Sequence, residues 1–327
     1  MKNSIIAMLA AGMLSAGCTS FADGPCCACK GAAGRWAIQK PGAFWLGICN
    51  KDGKPSAKLL WGGGSPVDQY DISIDGANAT MKQRMGKGRY RLTKVKASGC
   101  EAEVTFQNYN DKNEPQGKPE VVKAKRIPAL PPAPDLAKLK FGETVDLLAG
   151  GIDGWESMNP KNHFGWSLKD GVLMNRIKRK ANGKPDGSSA NLKTKRADFM
   201  DFKLSYDVRV LPGCNSGVYL RGIYEIQVLD SYGKPVNCHN MAALYGRITP
   251  RVAAEKPANE WQHVDVTLCD RHLTVVLNGV NIIDNQPVLG CTGGAMTADE
   301  FVPGPLYLQG DHSDADFRNM KLTPILK

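Results

Sequence analysis

Short runs that are either apolar or alternate between apolar and polar residues recur along the chain. In its first part these are Phe44 to Cys49, Lys58 to Trp61, Tyr70 to Ile74, Tyr90 to Val95 and Cys100 to Phe106. Turn formers such as Lys51-Asp52-Gly53 and Asp75-Gly76-Ala77-Asn78 separate them. Strands at that spacing predict a small antiparallel barrel or sandwich.

The prolines of Ile127-Pro128-Ala129-Leu130-Pro131-Pro132-Ala133-Pro134 favour an extended linker, because they can continue neither a helix nor a central strand. Beyond it the pattern stays β. Leu204, Tyr206, Val208 and Val210 alternate with Lys203, Ser205, Asp207 and Arg209, and Val264, Val266 and Leu268 alternate with His263, Asp265 and Thr267. Leu273 to Leu277 and Val280 to Ile283 flank Asn278-Gly279, the pair that best tolerates the positive φ angles of a type I′ hairpin turn. Long amphipathic helical periodicity is missing, so the strands must bury their faces against a second sheet. The economical architecture is a jelly-roll sandwich. The reading is all-β and divides the chain into 1–22, a small β domain over 23–127, a linker over 128–138 and a jelly roll over 139–327.

The first of these segments reads as an export signal: Lys2, the apolar stretch Ile5 to Leu14, then small residues up to Cys18. It is too short to span a bilayer. Ser15-Ala16-Gly17-Cys18 resembles a lipoprotein box that would anchor Cys18 to a membrane, while Ser20-Phe21-Ala22 suits ordinary signal cleavage. Both place the mature protein in the periplasm or cell envelope, where thiols oxidise. The remaining cysteines then read as a partial disulfide set with one thiol left over. Cys26-Cys27-Ala28-Cys29 finds no second Cys/His cluster at zinc-ligand spacing.

Net charge is moderately basic, +10 from 42 Lys+Arg and 32 Asp+Glu. The basic runs Arg176 to Lys180 and Lys193 to Arg196 lack interleaved aromatics and a docking element, which argues against a nucleic-acid partner. No phosphate loop, zinc helix or nucleophile elbow occurs. Met85-Gly86-Lys87-Gly88-Arg89 lacks the third glycine of a dinucleotide site.

The distinctive segment is Asn215 to Ser231. Tyr219 and Arg221 share one parity, continued by Glu225 and Gln227 beyond Gly222, while Val218, Leu220, Ile226 and Val228 share the other. On a pleated sheet this gives one apolar face and one face of Tyr, Arg, Glu and Gln. A sugar site needs such donors, acceptors and an aromatic face. The same pattern also suits a solvated strand with an Arg221–Glu225 ion pair.

Gly154-Trp155, Trp166 with Asp170-Gly171-Val172-Leu173, Asn215 to Ser231, Leu244-Tyr245-Gly246, Glu260-Trp261-Gln262, Thr292-Gly293-Gly294 and Gly304 to His312 with Phe317-Arg318-Asn319 together resemble the 3-keto-disaccharide hydrolase family. The resemblance runs in order over about 140–327. It implies a concanavalin-like jelly roll acting on glycosides oxidised at C3 of glucose. A base removes the acidified C2 proton, the enolate expels the C1 leaving group, and water adds back. It suggests Glu225 as base, Arg221 or a bound divalent ion on the enolate oxygen, and His312 or Asp230 as acid. Tyr219, Gln227, Tyr245 and Gln309 would hold the glycoside or oligosaccharide substrate. Each role has a rival: Asp230 as a turn cap, His312 as an orienter of the Asp311 loop. His163 and His239 lie in loops that border the cleft, whereas His263 and His272 fall in or beside strands. A non-catalytic carbohydrate-binding module and a two-carboxylate glycosidase are the competing functions. Gly34-Arg35-Trp36 is similar to the Gly-x-Trp opening of lipocalin-like barrels, and nothing in that domain selects a role for it.

Overall fold

The structure is a computed structural model and describes residues 31–51, 53–183 and 186–327. The export-type segment with Cys18, and Cys26, Cys27 and Cys29, lie outside the described residues. The described residues are all-β, with short 3₁₀ turns at Leu136–Lys138 and Gly151–Gly154.

The first nine strands form one antiparallel sheet. Its outer strands, Val67–Asp68 and Tyr70–Asp75, are separated in sequence by Gln69 alone, so the sheet curls until its two edges adjoin, close to a barrel. The alternation places Trp36, Ile38, Leu46, Ile48, Leu59 and Met81 inside. A fully buried Leu or Ile contributes about 1.5–3 kcal/mol, so the interior is a packed core. Two further strands, Asn78–Arg84 and Pro115–Ile127, complete the sheet. Neither carries a long apolar run: the second is exposed over its first seven residues and is recruited by pairing with Glu101–Tyr109.

The remainder is a sandwich. One sheet is built around Ala315–Leu326, which pairs with Val172–Asn175 on one side and Phe202–Val210 on the other, continuing through Gln262–Cys269, His272–Leu277 and Val280–Pro287. Asn278 at φ 51° and Gly279 at φ 84° make the positive-φ hairpin turn that the sequence predicts. The second sheet has the order Trp155–Ser157, Leu192–Thr194, Tyr307–Leu308, Asn215–Leu220, Tyr224–Leu229. Its apolar face, with Leu192, Val218, Leu220, Ile226, Val228 and Leu308, packs on Phe202, Leu204, Val266 and Phe317 of the first in a single core. The other face of this five-stranded sheet is left for chemistry.

Ala37, Ala43, Trp45, Leu60 and Ile127 of the barrel belong to the sandwich core, so the two halves pack together. Arg247 lies 4.2 Å over the Trp45 ring. Pro128 and Ala129 accept hydrogen bonds from Arg271, which fastens the proline segment down.

Cys49 and Cys100 are in disulfides. Cys214, Cys238, Cys269 and Cys291 are free thiols, more than the one leftover thiol expected from the count. A bridge requires two Cα atoms within about 7 Å with converging side chains, and these four are dispersed over separate elements. Burial pushes the Cys291 thiol up to about 12, which keeps it unreactive.

Candidate functional site

Asn215–Leu220 and Tyr224–Leu229 are the two arms of a hairpin, with Tyr219 opposite Glu225 and Gly217 opposite Gln227. Tyr307–Leu308 flanks it, with Tyr307 opposite Tyr219. Period-two geometry therefore puts Gly217, Tyr219, Glu225, Gln227, Tyr307 and Gln309 on one face, away from the core. The two tyrosine rings stack at 4.1 Å with 10° between their planes.

Glu225 is at the centre of this face and is 3% exposed. Tyr219 Oη donates to its Oε2 at 2.8 Å. The carboxyl leans over Gly217, where an added Cβ would meet Oε1 at 2.3 Å, so this strand interior needs a glycine. Thr292 Oγ1 accepts from the Glu225 backbone N–H, and Tyr245 N–H donates to the Glu225 carbonyl. Burial raises the Glu225 carboxyl to about 8; the Tyr219 hydrogen bond pulls it down in part, and the negative charge of Asp311 pushes it up. No cation is paired with it among the described residues. Burial also raises the Tyr245 phenol, with the Glu225 charge adding to the effect.

Asp311 and His312 form the outer rim. Asp311 Oδ1 is 2.7 Å from His312 Nδ1. Burial, the largest single influence, works to raise Asp311, but the hydrogen bond and charge of His312, with hydrogen bonds from Asn191 and the backbone, together outweigh it and hold the carboxyl below its usual range. The Asp311–His312 bond raises His312, whose side chain is 51% exposed. Asn191 Oδ1 accepts from the backbone N–H groups of Gly310 and Asp311 and so fixes this loop. Gln309 is 7% exposed, and its Oε1 is a buried acceptor without a hydrogen-bond partner.

Two residues expected in the site are elsewhere. Arg221 occupies the hairpin turn at φ 55°, followed by Gly222 at φ 65°, and these two left-handed residues break the parity that the alternation implied. Its guanidinium leaves the Glu225 face, donating to the Glu300 carbonyl at 2.6 Å and approaching Met200 Sδ. The Arg221–Glu225 ion pair does not form. Asp230 is five residues from Glu225, about 16 Å along an extended strand, and its Oδ2 accepts from Gly213 N–H as a turn cap. It is not the acid of a site centred on Glu225.

Tyr219, Glu225, Gln227, Tyr245, Gln309 and the Asp311–His312 pair are thus gathered at one face. His239 also borders it, its ring edge-on to Tyr245 with centroids 5.0 Å apart. His263 bridges Asp207 and Asp265 on the opposite sheet, and His272 Nδ1 lies against the Asp270 carbonyl. Sequence reasoning missed Gly217, Asn191 and Thr292. Gly217 did carry a signal, as a glycine inside a strand pattern; Asn191 carried none.

Among the described residues, the cluster of three candidate metal ligands is Asp201, Cys269 and Asp270, on another part of the surface. The Lys327 ammonium lies 2.7 Å from Asp201 Oδ2 and also pairs with Asp270, so a cation already neutralises it.

A family model described as a 3-keto-alpha-glucoside-1,2-lyase-like domain matches residues 144–323. A structure from Parabacteroides distasonis ATCC 8503 that carries a provisional glycosyl hydrolase name is 25% identical, covering 59% of this chain and 92% of its own, with a TM-score of 0.42. A second from the same organism, similarly named, is 20% identical over 56% and 94%, with a TM-score of 0.44. A carbohydrate-binding module from Bacillus subtilis is 13% identical over 51% and 94%, with a TM-score of 0.35. No curated protein matches the chain.

Proposed function

The chain belongs to the 3-keto-alpha-glucoside-1,2-lyase-like family, and we propose that it cleaves 3-keto-glycosides by taking the C2 proton and eliminating the group at C1. The observation that carries this reading is Glu225, a buried carboxyl at the centre of a polar sheet face, raised to about 8 and hydrogen-bonded to a tyrosine. A general base works best when its pKa is near the working pH.

The ketone at C3 makes the C2–H acidic. The Glu225 carboxylate takes that proton, and the electron pair is held as an enolate on the C3 oxygen. When the enolate collapses, the C3 carbonyl re-forms, a C1–C2 double bond forms and the C1–O bond breaks. The leaving oxygen takes a proton from His312, which Asp311 orients and keeps protonated to higher pH. Addition of water across the double bond, with Glu225 returning its proton to C2, makes the net reaction a hydrolysis; without it the enzyme is a lyase. The stacked Tyr219 and Tyr307 rings, with Gln227, Tyr245 and Gln309, hold the sugar.

Arg221 points away, so the enolate oxygen needs another source of positive charge or hydrogen bonds. Asp311 and Gln309 Oε1 are oxygen donors of the kind that suits a hard divalent ion. Bound there, such an ion would supply that charge. Loss of turnover on chelation and its return on adding a divalent ion is the expected result; indifference to chelators assigns the role to the protein's own donors.

The reaction is tested by offering wild type and Glu225→Gln a 3-keto-glucoside and its parent glucoside. Wild type should turn over the keto compound and the variant should not. Turnover of the parent alone would sink the elimination scheme. It would favour a two-carboxylate glycosidase using Glu225 with Asp311, whose charges sense each other across the site. Sugar affinity with no turnover of either compound would leave a binding module.

A further inference from the structure

We propose that the N-terminal barrel supplies one wall of the glycoside site, and that Ser65 of the barrel, with His239, binds the second sugar of a disaccharide substrate. The inference rests on the reading of the Glu225 face as a sugar site.

The barrel reaches the site through Gly62-Gly63-Gly64-Ser65, the loop that follows the Lys54–Trp61 strand. The Gly62 carbonyl accepts from Gly294 N–H at 2.8 Å, and nearby Gly42 N–H donates to the Met296 carbonyl at 3.0 Å. Gly64 and Gly293 touch through their backbones: a Cβ on Gly293 would fall 2.1 Å from the Gly64 oxygen. The Gly293 carbonyl in turn is 2.8 Å from Tyr219 Oη, the group that also donates to Glu225. The 292–294 loop is therefore clamped between the barrel and the floor of the site, with glycines where a side chain would force the two apart.

At the end of the loop, Ser65 Oγ is 2.7 Å from His239 Nε2. Ser65 is seated on Gly246, where a Cβ would meet its Oγ at 2.5 Å. His239 stands edge-on to Tyr245, and Tyr245 is tied by its backbone to Glu225. Ser65, His239, Tyr245 and Glu225 thus form a row leading from the barrel to the base. The first three are half-buried, so a ligand can reach them. One hydrogen bond to the imidazole leaves the serine oxygen with spare acceptor capacity.

The ring that loses its C2 proton must sit at Glu225. The Ser65–His239 pair is reached from Glu225 through Tyr245, whose backbone is bonded to Glu225 and whose ring meets His239, and the group leaving from C1 would extend toward it. A hydroxylated leaving group, a second sugar, matches a serine and an imidazole; a small alkyl group would not reach them.

The test is calorimetric titration of glucose and of a glucosyl-glucose disaccharide into wild type, Ser65→Ala and His239→Gln, with melting curves to establish that the variants are folded. Wild type should bind the disaccharide more tightly. Each variant should weaken the disaccharide about 3- to 10-fold, the worth of one neutral hydrogen bond, and leave glucose unchanged. With the 3-keto-disaccharide, Ser65→Ala should raise KM by a similar factor at constant kcat. Equal binding of the two sugars by wild type, equal weakening of both in the variants, or no change in either would each overturn the proposal. Undiminished turnover by Glu225→Gln would instead overturn the reaction scheme and leave the binding contrast standing.

Discussion

Two buried glutamates sit on opposite sides of the same hairpin, and each accepts a hydrogen bond from a tyrosine. Glu225 accepts from Tyr219 at 2.8 Å and Glu300 from Tyr224 at 2.7 Å. Their surroundings differ. Glu300 lies among cations: Arg221 donates to its backbone carbonyl, and the charges of Arg35 from the barrel and Arg247 sense its carboxylate. Glu225 has the negative Asp311 for a neighbour and no arginine. A carboxylate with cations close by has its charge matched and serves the structure. One buried without them rises toward neutral pH, where a proton can be taken up and released. Where a protein keeps a buried acid and its cations apart, chemistry is the economical explanation.

The contrast is sharpest in substitutions. Glu225→Gln should lower kcat/KM for a 3-keto-glucoside by about 10²–10⁴-fold, the range for losing a general base. Glu300→Gln should leave turnover per folded molecule near wild type while lowering the melting temperature, because buried arginines lose their counter-charge. Comparable kinetic losses in both would break the distinction.

Stability should move with pH for Glu225. Its folded pKa of about 8 lies above the unfolded carboxylate value, so the stability it confers is full below the unfolded pKa and lost as pH rises through about 8. Glu225→Gln, which carries no such charge, should therefore gain on wild type between pH 5 and 9, by up to on the order of 4 kcal/mol. Denaturant melts across that range measure it, and parallel curves would refute a buried, uncompensated Glu225.

Gly217→Ala should cost about 10²-fold in kcat, as small misplacements of a catalytic group do, since the new methyl must displace Glu225 Oε1. The crystal structure of the variant should show the carboxyl swung off the glycine. The mildest change is Tyr219→Phe. Removing a hydrogen bond that favours the ionised form should push Glu225 above about 8, moving the rising limb of kcat/KM to higher pH. At neutral pH the rate should fall roughly tenfold, the loss of ionised carboxylate that follows from about 1.4 kcal/mol of missing hydrogen-bond energy. An unmoved limb would mean that the tyrosine only packs.

Much of this architecture was legible in the alternation alone. Residues such as Leu204 to Val210, or the strands flanking Asn278-Gly279, carry period two so strongly that strand, buried face and turn type follow locally. The same periodicity correctly put Tyr219, Glu225 and Gln227 on one face. It failed at Arg221, because period-two parity assumes an extended backbone, and Arg221 and Gly222 have positive φ. It overlooked Asn78–Arg84 and Pro115–Ile127, whose place in the barrel comes from pairing with neighbours more than from their own apolar content.

The amino-acid sequence thus determined the all-β class, the polar face of the central hairpin and the family, since each rests on local pattern or ordered motifs. Tertiary structure alone decided what each charge meets. Asp311 came to Glu225 from a distant part of the chain, Glu300 and not Glu225 received the arginines, and Ser65 crossed from the barrel to His239. A pKa and a hydrogen-bond partner depend on distances through space, and these exist only once the sheets have stacked.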